Sequence, residues 1–133
     1  MVKVILDSNF LMSSLQLGMD ILRLLQEFLE RSVEPIVLTP VLEELKEIAK
    51  KASTKAGREA IFALRIAGMC SLWEVEKRDD ETVDDLILRM ALTWQCPVAT
   101  NDRNLRRRLK RLKIPVIYVR EKSYLAMDGS INS

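Results

Sequence analysis

The stretch PVATNDRNLRRRLKRLKIPVIYV, residues 97–119, holds one complete folding unit. PVAT (97–100) and PVIYV (115–119) are short apolar runs, as strands covered on both faces should be. Between them, RNLRRRLKRLK (103–113) places Leu105, Leu109 and Leu112 at helical spacing, one apolar stripe on an otherwise polar helix. Asp102 stands where that helix needs its N-cap. A strand, a helix and a strand with no hairpin signal between them predict two parallel strands joined by a right-handed crossover.

Upstream the same alternation repeats. VKVIL (2–6), PIVL (35–38) and SLWEV (71–75) are further strand-like runs, and amphipathic stretches occupy about 18–31, 40–52, 55–69 and 82–94. The expected fold is α/β, a three-layer α/β/α sandwich with a central parallel five-stranded sheet. Thr39-Pro40 supplies an N-cap and a proline at the first helical position, and Thr82 with Asp85 resembles a capping box. Gly18, Gly57 and Gly68 fall at or near predicted helix ends. With no repeat or linker in 133 residues, one domain over 1–127 is expected, and DGSINS (128–133) reads as a flexible tail.

Composition narrows the chemistry. No apolar run reaches the roughly 18 residues of a bilayer span, and Met1–Leu6 is too short for a signal-peptide core, so a soluble, cytoplasmic protein is expected. Two cysteines are too few for a disulfide framework; Cys70 and Cys96 read as small buried apolar residues. The absence of histidine excludes the usual zinc sites and Ser-His-Asp or Cys-His catalysis. An enzyme built on this chain must use carboxylates, lysines or a metal held by oxygen. The charge is also uneven. Residues 103–113 carry +7 with no acid, which against a net +2 leaves the remainder at −5, so a polyanionic partner is expected on one face.

Ligands of open α/β sheets bind outside the carboxyl ends of the strands. Asp7 follows the first run, Thr39–Glu44 the second, Asp79–Asp85 the third, and Asn101 and Asp102 the fourth. A helical wheel puts Glu44 on the border of the apolar stripe of 41–52 and Glu43 on the solvent side. It puts Asp84 inside the apolar arc of 84–94 and Asp85 outside it. An acid on an apolar face is costly unless paired or bound to a metal. Several carboxylates at one sheet end repel one another, and a divalent cation relieves that repulsion. Oxygen donors without His or Cys suit Mg²⁺ or Mn²⁺, and such a site activates water for attack on a phosphoryl group. The basic helix beginning after Asp102 would hold a phosphate backbone beside it.

ILDSNFLM (5–12), TPVLEEL (39–45), VDDLILRMA (83–91) and ATNDRNL (99–105) together resemble the four motifs of the PIN-domain nucleases, in order and over essentially the whole chain. The matches select Asp7, Glu44, Asp84, and Thr100 with Asp102. The stretches TPVLEEL, VDDLILR and VATNDRNLRRRLKRLKIPVIYVR look most like the single-domain archaeal branch, related to the eukaryotic PIN nuclease that processes pre-ribosomal RNA. The resemblance implies strand order 3-2-1-4-5, Mg²⁺- or Mn²⁺-dependent endoribonuclease activity and a tendency to form a homodimer. It implies Asp7, Glu44, Asp84 and Asp102 as catalytic metal ligands. Ser8, Asn9, Thr100 and Asp85 are candidates for orienting the carboxylates or a bound water, and Arg103, Arg106 and Arg107 for contacting RNA.

Each residue also has a structural reading. Asp7 could close an Asx-turn, Asp102 could be only a cap, Glu44 a surface acid, and Asp85 is explained by its capping box. Trp73, Trp94 and Tyr118 read as core. Two other functions stay open: an RNA-binding or ribosome-assembly module with little turnover, and the toxin of a toxin–antitoxin pair.

Overall fold

Val4, Ile5 and Leu6 have no exposed surface, because the strand that carries them lies inside the sheet. The computed structural model describes residues 1–18 and 20–131. In chain order these form β1 (Val2–Leu6), α1 (Ser8–Leu17), α2 (Ile21–Leu29), β2 (Val33–Leu38), α3 (Thr39–Ala49) and α4 (Lys55–Ala67). There follow β3 (Ser71–Trp73), α5 (Val83–Trp94), β4 (Val98–Ala99), α6 (Arg103–Arg111), β5 (Val116–Arg120) and β6 (Tyr124–Asp128). The sheet order is β3-β2-β1-β4-β5-β6. The first five strands are parallel, in the expected order, and β6 is antiparallel to β5. Helices α1, α3 and α4 pack together, as do α5 and α6, giving the α/β/α sandwich.

The core is aliphatic. Ile5, Leu6, Phe10, Ile36, Leu38, Leu45, Leu86, Ile87 and Leu105 are fully buried. Each such side chain contributes about 1.5–3 kcal/mol on leaving water. Cys96 is buried and Cys70 half-buried, and both thiols are free. Close packing fixes Gly57, where a Cβ would stand 1.9 Å from the Lys51 carbonyl oxygen.

Three features depart from expectation. The sheet has a sixth strand because a β5–β6 hairpin closes through Glu121 and Lys122, both at positive φ (53° and 55°), rather than through Asn-Gly or Asp-Gly. β6 ends at Asp128, the first residue of the stretch expected as a tail; Asn132 and Ser133 lie outside the described residues. α1 is a helix where none was expected; it ends on Gly18 in the left-handed region (φ 62°), and the helix expected over about 18–31 is α2, which Asp20 caps. The pattern of α1 is masked because Ser13 and Ser14 are buried in it, Ser13 Oγ donating to the Phe10 carbonyl at 2.5 Å.

Two side-chain expectations also change. Leu38, not Thr39, is the N-cap of α3; the Thr39 hydroxyl instead bonds both the carbonyl and the N–H of Val75, at 3.2 and 3.1 Å. Leu112 is 43% exposed, because α6 ends at Arg111 and the apolar stripe stops at Leu109. Trp73 and Trp94 meet edge to face at 4.4 Å, and both are half-buried.

Candidate active site

The chain leaves β1 at Asp7, whose extended backbone and carboxylate start α1. Asp7 Oδ1 accepts from the Ser8 N–H at 2.8 Å, and Oδ2 accepts from the Thr100 hydroxyl at 2.7 Å. Asp7 is only 3% exposed. Burial pushes its carboxyl up to about 6, and the charges of Asp84 and Glu44 push the same way; the Thr100 and Ser8 hydrogen bonds oppose the rise without cancelling it.

Three more acids reach this end of the sheet. Glu44, on the first turns of α3, accepts from the Ser8 hydroxyl, which ties the second βα unit to the first. Asp84 sits in the first turn of α5, half-buried, and its carboxyl is raised by burial and then by the charges of Asp102 and Glu44. Asp102 caps α6 by accepting from the Leu105 N–H at 3.0 Å, and its own N–H donates to Thr100 Oγ1 at 3.2 Å. The four carboxylates therefore share one field. Among the described residues none of them takes part in an ion pair. Nor do three His, Cys, Asp or Glu side chains among the described residues close into a ready-made metal cage.

Thr100 is fully buried and links two acids, donating to Asp7 and accepting from Asp102. Asn9 Oδ1 accepts from the Asn101 N–H at 3.0 Å, and Asn101 Oδ1 accepts from the Val119 N–H at 2.9 Å. Asn101 so joins the ends of β1, β4 and β5, a role the sequence reading did not assign, although its place directly before Asp102 is the available signal. Asp85 is committed elsewhere. Its carboxylate closes a capping box with Thr82 and pairs with Arg108 at 2.7 Å, and these bonds hold it down at about 2. Arg108, also unassigned from sequence, is the cation whose charge lowers the Asp84 carboxyl, against the stronger push of burial and the neighbouring acids.

The basic helix α6 presents Arg103 and Arg107 to solvent. Arg106 behaves differently. Its guanidinium carbon lies 3.4 Å from the centre of the Tyr118 ring, and Nη2 is a loose 3.4 Å from Asp128. Tyr118 is half-buried beneath it rather than part of the core. Two clefts share Arg103 and Arg106. One, about 270 Å³, adds Arg107, Lys110 and Asp128. The other, about 470 Å³, adds Asn101, Tyr118, Arg120 and Glu121 at the carboxyl end of β5.

A mostly parallel sheet in this order, with four acids that form no ion pair among the described residues at its carboxyl edge and a cationic helix leaving the same edge, defines a PIN-type fold. The chain belongs to the PIN-like domain family, whose model matches residues 4–122. It is similar to Ribonuclease VapC4 of Methanocaldococcus jannaschii, 27% identical over 132 residues, 98% of this chain and 100% of that protein. It is also similar to the solved structure of the PIN domain endonuclease Utp24, with TM-score 0.78 and 26% identity over 98% of this chain and 93% of that one. A domain of a functionally unknown protein from Methanocaldococcus jannaschii shares the fold, with TM-score 0.65 and 15% identity over 100% of this chain and 98% of that one. Among the described residues no helix is long and apolar enough to cross a membrane.

Proposed function

We propose that this chain is a divalent-metal-dependent endoribonuclease that hydrolyses RNA phosphodiesters, with ribosomal RNA maturation as its setting. The observation that carries the reading is Asp7: a buried carboxylate beside two like charges, in no ion pair among the described residues, at the sheet end from which the acid-free helix α6 departs. The donor set fits a hard cation, since Asp7, Glu44, Asp84 and Asp102 offer only oxygen, and the raised carboxyls of Asp7 and Asp84 mark an unmet demand for positive charge. These four residues would hold Mg²⁺ or Mn²⁺, which when bound lowers the pKa of a coordinated water and stabilises charge on the phosphoryl group.

The chain's own residues do the rest. Thr100 fixes the Asp7 carboxylate and Ser8 fixes Glu44, so the acids keep their bearing when no substrate is present. Asn9 and Asn101 hold the β1 and β4 ends in register. Asp85 acts through the fold, capping the helix that carries Asp84. Arg103, Arg106 and Arg107 supply RNA contacts from the first two turns of α6, and a homodimer is the expected assembly.

The names of two relatives support the reading: one is a ribonuclease, the other an endonuclease. The ribonuclease, matched over its full length, is as compatible with an RNA-cleaving toxin held by an antitoxin, which would use the same acids. The test is cleavage of a long structured RNA with Mn²⁺, with Mg²⁺ and with EDTA, comparing wild type with Asp7→Asn. Metal-dependent cleavage lost in the variant is the expected result. RNA binding that weakens steeply with salt but never leads to cleavage would replace the nuclease with an RNA- or ribosome-assembly-binding module.

A further inference from the structure

Arg106 is the one arginine of α6 that lies on an aromatic ring among the described residues, and its Nε is buried without a hydrogen-bond partner. Resting on the ribonuclease reading, we propose that the cleft beside Asp102 is a subsite for one unpaired RNA nucleotide next to the scissile phosphate. Its base stacks on the outer face of the Arg106 guanidinium, and Arg103 and Arg120 take the flanking phosphates.

Three observations lead there. The first is the stack itself. A side chain whose only task is solvation extends into water and keeps its rotamer freedom, whereas the Arg106 guanidinium lies 3.4 Å over the Tyr118 ring and the side chain is only 24% exposed. An arginine backed by an aromatic ring is a flat, rigid, cationic platform. Nucleobases whose strand neighbours have released them stack on such planes, and those inside a duplex do not reach them.

The second is size and charge. The cleft holds about 470 Å³, within the range of roughly 300–1,000 Å³ that small-ligand sites occupy. Arg103, Arg106 and Arg120 line it against the single acid Glu121, so an anionic occupant is favoured. The third is position. Asn101 and Arg103 line the cleft on either side of Asp102 in the chain, so the cleft adjoins the residue that brings the fourth acid to the site. The rim is a turn whose Glu121 and Lys122 both sit in the left-handed region, a conformation costly for residues other than glycine, and this turn follows Arg120 at the cleft.

The test uses the full chain and a short single-stranded RNA whose cut position is first mapped with wild type. Each base in turn is then replaced by an abasic ribose. Removing the base at one position beside the cut should lower wild-type kcat/KM about tenfold, the scale of one base–side-chain stack, with smaller effects elsewhere. In Arg106→Lys, which keeps the charge and loses the plane, the ratio of intact to abasic substrate should fall toward one. Tyr118→Leu, which removes the ring behind the guanidinium, should do the same and stands in if Arg106→Lys folds poorly. Equal rates at every abasic position, or an undiminished ratio in both variants, overturns the subsite.

If wild type cleaves no RNA, the ribonuclease reading fails, and the subsite is read separately with 2-aminopurine in the same oligonucleotide. A fluorescence change on binding, as the base leaves its strand neighbours, that disappears in Arg106→Lys supports the stack; no change in wild type, or the same change in the variant, removes it.

Discussion

Asp84 and Asp85 are adjacent in sequence and opposite in circumstance. Asp85 receives the Thr82 N–H and the Arg108 guanidinium, and its carboxyl is held down at about 2. Asp84 faces Asp102 and Glu44, and its carboxyl is raised. The same split runs through the wider region. Glu81, in the loop before α5, takes two bonds from Arg89 and is also held at about 2, while Asp7 across the sheet end is pushed up to about 6. One set of acids is fully answered by cations and caps, and that set holds the loop in place. The other, where the strands end, meets hydrogen-bond donors but no cation in an ion pair among the described residues. Since unpaired charge at a buried site destabilises a fold, its persistence points to a ligand that the protein does not itself contain.

The largest effect that separates the two sets is on turnover. Asp84→Asn should lower cleavage by about 10²-fold or more, the scale at which a group acting on transition-state charge shows in rate. Asp85→Asn, which can act only through the cap and Arg108, should move Tm more than it moves kcat. Steady-state kinetics and thermal melts of the two variants decide this. Equal losses of activity would merge the sets and return Asp85 to the site.

Next is the response to pH in the presence of a chelator. Asp7 has its folded pKa raised from the ordinary 3.8 to about 6, so the folded state binds the extra proton and stability falls as pH rises across that window. A shift of this size is worth at most about 3 kcal/mol. Glu81 and Asp85 have theirs lowered to about 2, so their contribution is present above the ordinary carboxylate values and is lost as pH falls toward 2. Denaturant melts should therefore show stability falling on both sides of a maximum near pH 4. Asp7→Asn should flatten the upper limb and leave the lower one. Addition of Mn²⁺ or Mg²⁺ should restore stability on the upper limb, by binding the folded state alone. An upper limb identical in wild type and variant would show that Asp7 is not the strained group.

How much of this was legible in the sequence differs element by element. The parallel strands were, because apolar runs such as VKVIL and PVIYV can only be buried on both faces. The arrival of acids at one sheet end followed from where each run stops. The capping box at Thr82 and the cap at Asp102 were local in sequence and were found. What escaped depends on contacts between distant residues. β6 was hidden because its hairpin turn uses Glu121 and Lys122 in a conformation that usually announces itself with glycine or asparagine. α1 was hidden because two of its inward residues are serines. A helical wheel could mark Arg106 as polar but not that it lies on Tyr118, and nothing in the spacing singles out Arg108 as the partner of Asp85 rather than of Asp84.

The smallest of these effects begins in the answered set. Thr82 accepts from the Asp85 N–H at 3.1 Å, while Asp85 accepts from the Thr82 N–H at 3.0 Å, so each satisfies a backbone donor that the start of a helix leaves free. Thr82→Ala removes one half of that exchange and should cost about 1 kcal/mol. Thr82→Ser keeps the hydroxyl and should leave stability nearly unchanged, since serine caps at least as well as threonine. Because α5 also carries Asp84 two residues on, a frayed first turn would loosen the unanswered acid as well. The Thr82→Ala variant should therefore need more divalent cation for half-maximal cleavage while reaching nearly the same rate at saturation. A fall in the saturated rate with no change in metal requirement would mean that the cap governs the chemistry directly, and the division between the two sets of acids would fail at this helix.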